Sequence, residues 1–420
     1  MKLSHRSGRS VHPPTDVADA RTVSLLVYQR AVKATDHLPP NDLVSPILGL
    51  FGEVGSLLAI LKKKTREATA YTAFQTRILE ELGDVLWYIT CTASHAQLDI
   101  SVLCQRSYNG PHDQIMTARS QLATWADVQC AHRTDDRQDL LTCIAFLAEL
   151  SGTLVGHLRA GRLGRDREIL SEHLVRILKA LISTATAAHI DMDRAARRNL
   201  EKIFSRYPLD ETYPTLADAE APRGERLPRR FEILIEELEA MGKTYVVLTC
   251  NGVIVGDRLT DNKTAEDDYR FHDVFHIAYA VHLGWSPILR GLFRVKRKSV
   301  PALDENEDGA RAGLIEEGIS TFIFGRALER NLFEGLDSLD FDLLKLVQEF
   351  ARGFEVERCA LWQWERAILD GFKVFRELKL HRRGYVTADL ESHTIEFRPL
   401  VHQADELPRQ GASAAVPFPD

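Results

Sequence analysis

Residues 78–89, ILEELGDVLWYI, carry three carboxylates within a helical pattern of apolar residues. Glu81 and Asp84 are three positions apart, so their side chains project from the same face of a helix. An earlier apolar segment, residues 49–61 (GLFGEVGSLLAIL), carries Glu53 in a similar setting. Carboxylates on an apolar helix face are costly to bury unless a cation neutralises them. The two segments therefore predict a metal site between facing helices, a common place for metals in helical bundles.

The order of these motifs, GEVGSLL, then KKK, then EELGDVLWYI, resembles the MazG-like nucleoside triphosphate pyrophosphohydrolases of the all-α pyrophosphatase superfamily. The resemblance covers residues 40–110, approximately. It implies cleavage of a ribo- or deoxyribonucleoside triphosphate between the α and β phosphates, with Mg²⁺, or else Mn²⁺, as the cofactor. It also implies metal ligation by Glu53, Glu81 and Asp84. Ser56 departs from the pattern, since it stands where the family has a second glutamate and removes one formal charge.

The resemblance also suggests which side chains take part in catalysis. A metal-bound water needs a proton acceptor, and Glu80 and Glu81 are the candidates. The helix that carries Glu53 ends in a basic cluster, formed by Lys62, Lys63, Lys64 and Arg66. Such cations complement the dipole of a helix C-terminus wherever they occur. Beside a metal site they are expected to bind the phosphates of the substrate.

The helical pattern of residues 49–61 and 78–103 returns at residues 145–157 and 170–195. We therefore predict that residues 21–207 are one duplicated helical domain, with an active-type repeat at about 40–110 and a degenerate repeat at about 125–207. In this alignment Glu149 matches Glu53. His173 and Arg176, however, replace Glu81 and Asp84, and an arginine in place of a ligand should prevent cation binding.

The second half of the chain has a different composition. Residues 208–230 are rich in Pro, Asp, Glu and Arg and are predicted to be a linker. Residues 245–256 (YVVLTCNGVIVG) predict a β-hairpin about Asn-Gly, and residues 384–400 alternate like a second hairpin. The expected fold is mainly α, with a tandem, pseudo-dimeric MazG-like bundle followed by a smaller α+β domain at 231–400. Residues 1–20 and 401–420 are predicted to be flexible tails.

A candidate second site lies in this α+β domain. His272 and His276 are four positions apart and share a helix face with Asp273, a spacing that metal sites use. Downstream carboxylates that would complete the site are Asp308, Glu316 and Glu317. Histidines on an apolar helix are also common as hydrogen-bonded core residues, so the pattern is compatible with either role.

Composition narrows the class of partner. The 420 residues include 53 basic and 60 acidic side chains, giving a net charge of −7. Non-specific nucleic-acid binding, which needs a basic surface, is therefore not expected. The six cysteines form no CxxC pair. The sequence contains no run of 18 apolar residues, so a membrane span is not predicted. A cytoplasmic protein is expected, and its composition is compatible with a homodimer.

Two functions from different classes remain open at this stage. One is the Mg²⁺-dependent pyrophosphohydrolase. The other is a nucleotide-binding sensor or regulatory protein with a degenerate pyrophosphatase fold, in which any chemistry lies in the C-terminal His/Asp/Glu site. Ser56 and the degenerate repeat favour the sensor, whereas the intact EExxD motif of residues 80–84 favours the enzyme.

Overall fold

The structure is a computed structural model, and it describes residues 22–108, 122–132, 139–163, 167–240 and 242–400. The predicted tails at 1–20 and 401–420 lie outside these residues. The chain divides into two compact units, residues 1–211 and residues 212–420. As predicted, the described chain is mainly helical, with its β-structure in the second unit.

The first unit is built from helices that share one apolar core. In chain order they are α1 (Leu25–Ala34), α2 (Val44–Glu67), α3 (Phe74–His95), α4 (Ile100–Ser107), α5 (Trp125–Ala131), α6 (Leu140–Arg159), α7 (Arg167–Ala187) and α8 (Met192–Arg206). Helix α2 packs along α3, and α6 packs along α7. The short third helices cross over, because α4 contacts α7 and α8 contacts α3. Each half of the unit thus supplies a short helix that packs against a long helix of the other half.

Two glutamines make matching hydrogen bonds in the two halves. The side chain of Gln29 donates to the carbonyl of Leu98 at 2.9 Å and accepts from the amide of Ile100 at 3.1 Å. In the second half, Gln129 donates to the carbonyl of Ile190 at 2.9 Å and accepts from the amide of Met192 at 2.9 Å. In each half the side chain pins the turn before the third helix.

The turns themselves also match. Gln97 and His189, each at the end of a long helix, have positive φ values of 59° and 58°. Asp99 and Asp191 then cap the helices that follow by accepting backbone N–H groups. These shared details support the predicted duplication, which remains a prediction about the origin of the unit.

Two segments of the first unit, Val44–Ala70 and Leu140–Arg159, are long and apolar enough to cross a membrane by length and composition. Long helices in the core of a helical bundle have the same properties. The expectation that the chain has no membrane span therefore stays a prediction.

The second unit contains a five-stranded antiparallel sheet in the order β3-β2-β1-β4-β5. The strands are β1 (Arg230–Ala240), β2 (Lys243–Cys250), β3 (Val253–Leu259), β4 (Arg383–Asp389) and β5 (Thr394–Pro399). Both predicted hairpins are present, and Asn251 and Gly252 have the positive φ values, 50° and 76°, that a tight hairpin turn requires. The sequence analysis did not anticipate β1, the central strand.

The helices of the second unit lie between β3 and β4 in the chain. They are α9 (Asp273–Leu283), α10 (Pro287–Leu292), α11 (Pro301–Asn306), α12 (Ala310–Leu328), α13 (Phe341–Phe350) and α14 (Leu361–His381). Helix α9 is buried along its whole length and packs against α14. Gly371 of α14 eases this approach, since an added Cβ there would lie 3.2 Å from Ala278 and 3.3 Å from Phe275.

The prediction of a linker at residues 208–230 is wrong for most of that segment. From Thr212 onward the segment belongs to the second unit. The carboxylate of Asp218 is buried and accepts hydrogen bonds from the amide of Leu227 and from the guanidinium groups of Arg229 and Arg290. Charges that resemble a solvated linker in the sequence are buried ion pairs in the fold.

The turn that Gln29 holds gives a test of the packing. Gln29 is 4% exposed, and replacing it with alanine would leave a carbonyl and an amide of the turn without their partner. We expect Gln29→Ala to lower the free energy of unfolding by about 1–3 kcal/mol, measured by urea denaturation. The control is Gln75→Ala, at an exposed position of α3. Equal stability of the two variants would contradict the assigned role.

Candidate functional sites

The first candidate site, here called the carboxylate cluster, consists of Glu53 on α2 and of Glu81 and Asp84 on α3. One oxygen from each residue lies within 4.8 Å of the others. The helices run antiparallel, because Gly49, which precedes Glu53 in α2, lies against Tyr88, which follows Glu81 and Asp84 in α3. Since Gly49 has no side chain, the two helices approach closely at this point. The structure thus brings together the three carboxylates that the sequence predicted to converge.

Burial is the largest cause of a raised pKa in all three carboxyl groups. It raises the pKa of Glu81 to about 8, and the hydrogen bond to Glu53 and the charge of Asp84 add to the rise. The pKa of Glu53 is raised by burial and by the charge of Asp84. For Asp84, burial raises the pKa while the attraction of Lys202 opposes the rise. The fold therefore holds negative charge here at a cost.

Two residues of α8 complete the cluster, and sequence reasoning missed both. The ammonium group of Lys202 lies 2.7 Å from Oδ1 of Asp84, and the amide of Asn199 donates to the same oxygen at 2.9 Å. Gly83 permits this contact, because an added Cβ would lie 2.8 Å from the carbonyl oxygen of Ala195 in α8. These partners are more than 100 positions away in the sequence, so no local spacing signals them.

A cleft of about 180 Å³ opens beside the carboxylate cluster. Its lining combines charged, polar, aromatic and apolar side chains, which are Glu53, Asp84, Trp87, Tyr88, Asn199, Lys202 and Ile203. A site with acidic, basic and aromatic walls suits a ligand that carries both phosphates and a ring.

Glu80, the other predicted catalytic carboxylate, points to different partners. It lies 3.6 Å from Arg77 and 3.8 Å from Lys202. It is therefore linked to the carboxylate cluster through Lys202, which also binds Asp84.

The predicted phosphate-binding residues make local contacts at the end of α2. Lys63 lies 3.9 Å from Glu67, and Arg66 lies 2.6 Å from the same residue. Lys64 donates to the carbonyl of Ala68, and Lys62 is exposed. At a rise of 1.5 Å per residue, this cluster begins roughly 13 Å along α2 from Glu53. Its role towards phosphates stays a prediction.

The corresponding place in the second half has the opposite charge. A cleft of about 600 Å³ is lined by Arg106, Arg176 and Lys179 among other residues. The rings of His173 and His157 lie 4.6 Å apart, and burial lowers the pKa of His173. Within the described ranges, three groups of side chains converge closely enough to share a cation, and neither Glu149 nor His173 belongs to them.

The second candidate site, here called the histidine cluster, brings together His272, His276 and Glu317. Their ligand atoms also lie within 4.8 Å of one another. His276 Nε2 is 3.4 Å from Glu317 Oε1, and His272 Nε2 is 3.7 Å from Glu317 Oε2. Asp273 adjoins the group, with Oδ1 at 3.6 Å and 3.9 Å from the two Nε2 atoms.

Glu316 lies behind the histidine cluster. Its fully buried carboxylate accepts hydrogen bonds from His276 Nδ1 at 2.9 Å, Ser286 Oγ at 2.6 Å and the amide of Ile288 at 2.9 Å. Burial lowers the pKa of His276, but the carboxylates of Glu316 and Glu317 outweigh it, so the pKa lies well above its usual value.

The predicted participation of Asp308 is wrong. Its carboxylate is buried against Arg297, which donates to it from the backbone amide at 2.7 Å and from Nη2 at 2.6 Å. Arg290 lies 3.6 Å from the same carboxylate. A buried charge needs such partners, and these commit Asp308 to a structural ion network instead of to the histidine cluster.

A third convergent group was not predicted. Asp36, Cys91 and His95 lie together in the first unit, where His95 Nε2 is 2.6 Å from Asp36 Oδ2. Burial is the main cause of a raised pKa for the Cys91 thiol, so the thiol is protonated at neutral pH. Cys91 and His95 both contact Asp36, whereas His95 Nδ1 is buried and has no hydrogen-bond partner among the described residues.

Comparison with known proteins bears on the second unit. Residues 212–401 match the family model described as the MazG C-terminal domain. The second unit is therefore similar to the C-terminal domain of MazG proteins. No curated protein and no solved structure matches the chain.

The raised pKa of Glu81 predicts how pH affects the metal-free protein. Its folded pKa of about 8 lies above the ordinary 4.5, so its stabilising contribution is complete below about pH 4.5 and is lost as the pH rises through 8. Glu81→Gln cannot ionise. We therefore expect the stability of Glu81→Gln relative to the wild type to increase between pH 5 and 8, measured by urea denaturation with a chelator present.

The control for this experiment is Glu201→Gln on α8, where the side chain is 54% exposed. Its stability relative to the wild type should show no comparable rise over the same pH range. A constant difference between Glu81→Gln and the wild type would show that Glu81 does not titrate in this window.

Proposed function

We propose that the chain is a Mg²⁺-dependent nucleoside triphosphate pyrophosphohydrolase, which forms a nucleoside monophosphate and pyrophosphate. The observation that carries the proposal is the convergence of Glu53, Glu81 and Asp84 within 4.8 Å on two facing helices. The family match in the second unit supports the broader class, a nucleotide-related hydrolase. The specific reaction rests on the carboxylate cluster and on the resemblance of its motifs.

The donor set fits a hard cation. All three side chains of the carboxylate cluster offer oxygen atoms, which Mg²⁺ and Mn²⁺ prefer, and Mg²⁺ commonly binds few carboxylates plus water and substrate phosphates. Bound there, Mg²⁺ would neutralise phosphate charge and lower the pKa of a coordinated water. Ser56 lies one turn of α2 from Glu53 and is partly exposed, so it contributes a hydroxyl instead of a fourth charge.

The surrounding side chains have distinct roles in this reaction. Lys202 is positioned to exchange its contact with Asp84 for one with a substrate phosphate. Trp87 and Tyr88 line the cleft, and a nucleobase would pack against them. Glu81 or Glu80 accepts the proton of the attacking water, as general bases commonly do.

The same observations define the competing function, a nucleotide sensor without turnover. The substitution at Ser56 removes one charge from the family pattern, and Lys202 already offsets part of the remaining charge. A sensor would bind a nucleotide in this cleft and release no product.

The direct test is a screen of ribo- and deoxyribonucleoside triphosphates with Mg²⁺ or Mn²⁺, in which pyrophosphate and phosphate are measured separately. We expect pyrophosphate release by the wild type and a loss of at least about 100-fold in Asp84→Asn, since metal positioning and water activation fail together. Glu201→Gln is the matched control and should keep full activity. Nucleotide binding without pyrophosphate release would identify the sensor instead.

The thermal midpoint distinguishes a lost metal from a lost fold. Wild-type protein should be stabilised by Mg²⁺, and Asp84→Asn should lose that response. Because burial raises the pKa of Asp84 in spite of its contact with Lys202, the neutral side chain of the metal-free variant is expected to leave the protein folded and at least as stable as the wild type. Full turnover by Asp84→Asn would exclude the carboxylate cluster as the catalytic centre.

Replacing Lys202 is expected to strengthen Mg²⁺ binding and to weaken the interaction with the nucleotide. Lys202→Gln removes a cation that competes with Mg²⁺ for Asp84, so Mg²⁺ affinity without nucleotide should rise by about fivefold, as for a charge interaction of about 1 kcal/mol. The KM for the nucleotide should rise as well, because a phosphate partner is lost. Calorimetry and steady-state kinetics measure the two effects. If Lys202 were purely structural, its replacement would not raise both the Mg²⁺ affinity and the KM for the nucleotide. Lys179→Gln on α7 serves as the control.

A further inference from the structure

We propose that the histidine cluster of the second unit binds one divalent first-row transition-metal ion, such as Zn²⁺, through His272, His276 and Glu317, with Asp273 beside them. This site is separate in composition and in chain position from the carboxylate cluster. It goes beyond the proposed pyrophosphohydrolase function, and neither proposal requires the other.

The hydrogen bonds of the two histidines decide which ring nitrogen faces the cluster. His272 Nδ1 lies 2.9 Å from the carbonyl oxygen of Tyr269, which accepts only. His276 Nδ1 lies 2.9 Å from Glu316, a carboxylate that also accepts from Ser286. Each Nδ1 therefore carries a proton. In a neutral ring, Nε2 is then a bare lone pair, and both Nε2 atoms face Glu317 and Asp273.

With both imidazole rings neutral, this arrangement is incomplete without a cation. The Nε2 lone pairs and the oxygens of Glu317 and Asp273 are all acceptors, so they repel unless a positive charge lies between them. His276 is completely buried, and its Nε2 makes no hydrogen bond. A buried polar atom without a partner is rare and needs an explanation. A metal ion would provide the partner.

The distances agree with a shared ion better than with hydrogen bonds. The separations between Nε2 atoms and carboxylate oxygens are 3.4, 3.6, 3.7 and 3.9 Å. Hydrogen bonds of this kind are commonly about 2.7–3.2 Å. Ligands about 2.0–2.1 Å from a tetrahedral ion lie roughly 3.3 Å from one another. The cluster is therefore close to the size that such an ion requires.

The surroundings of the cluster hold its ligands in place. Glu316 orients His276, and the carbonyl of Tyr269 orients His272, as carboxylates and carbonyls do behind metal-bound imidazoles. Asp261 fixes the preceding loop by accepting from the backbone amides of Asp267, Asp268 and Arg270. The Glu317 side chain is 38% exposed, so the site is open to solvent on one side.

The donor set also indicates the class of ion. Imidazole nitrogens suit zinc and other first-row transition metals, whereas Mg²⁺ takes oxygen ligands. The histidine cluster offers two imidazoles, but the carboxylate cluster offers none. The two sites of one chain are therefore expected to select different ions.

The alternative is a network of protonated histidines paired with carboxylates. Two imidazolium groups would then lie side by side, with ring centres 5.6 Å apart, against Glu316, Glu317 and Asp273. Such a network needs no metal, and its stability would not respond to one. Metal binding by the full chain therefore separates the two interpretations.

The experiment uses full-length protein that has been stripped of metal and then freed of chelator. It is titrated with Co²⁺, whose visible absorption reports nitrogen ligation, and binding is measured in parallel by calorimetry. With excess Mg²⁺ present to occupy the carboxylate cluster, we expect one Co²⁺ equivalent with a visible band, which Zn²⁺ displaces. The absence of such binding would overturn the proposal.

Variants locate the ion within the chain. His272→Ala and Glu317→Gln should each weaken Co²⁺ binding by at least about tenfold, since changes even to residues behind a metal cost 10–100-fold, and the visible band should shift or vanish. Asp84→Asn and His381→Ala, the latter a partly exposed histidine on α14, should leave the band unchanged.

Folding of each variant is checked by circular dichroism. If His272→Ala does not fold, Glu317→Gln decides, because its partly exposed side chain tolerates an amide. Unchanged Co²⁺ affinity and spectrum in Glu317→Gln would refute the assignment. Loss of the band in Asp84→Asn instead would place the ion in the carboxylate cluster and would refute it as well.

Discussion

The burial of three carboxylates between α2 and α3 is the constraint on which the first unit depends. Desolvation and mutual repulsion oppose this arrangement, as the raised pKa values of Glu53, Glu81 and Asp84 show. The opposing charge and hydrogen bonds come from Lys202 and Asn199, which belong to the other half of the unit. The second half of the unit therefore does more than cover apolar surface, because it supplies Lys202 and Asn199 to the site of the first half. This exchange of third helices makes the two halves one structural unit.

The carboxylate cluster was predicted from helix periodicity, which places Glu81 and Asp84 on one helix face, together with the motif resemblance, which adds Glu53. These signals were not sufficient to predict Lys202, because its contact with Asp84 depends on how α8 crosses α3. The Asn-Gly hairpin was predicted because its turn has a specific backbone requirement. Strand β1 was missed, because its sequence RFEILIEELEA is rich in glutamates that favour helices. In the sheet, its alternate residues Ile233 and Ile235 are buried, so tertiary packing overrides that local preference.

Buried ion pairs explain where the sequence analysis of the second unit failed. Arg290 and Arg297 are each 1% exposed, although basic residues are usually on the surface. Arg290 pairs with Asp218, and Arg297 pairs with Asp308. Sequence alone cannot distinguish a solvated charge from a buried one, since the difference lies in a partner far along the chain. As a result, a structural segment was interpreted as a linker and a structural aspartate as a ligand.

The two candidate sites rest on different kinds of observation, and this makes their assignments independent. Motif order and resemblance point to the carboxylate cluster, whereas the family match falls on the unit that holds the histidine cluster. The carboxylate cluster has a basic partner in Lys202 and so remains partly neutralised without an ion. The histidine cluster has no comparable cation among the described contacts of Glu317, which are to His272 and His276. Its charge balance must come from protonation of the histidines or from a metal, and the spacing of its ligand atoms favours the metal.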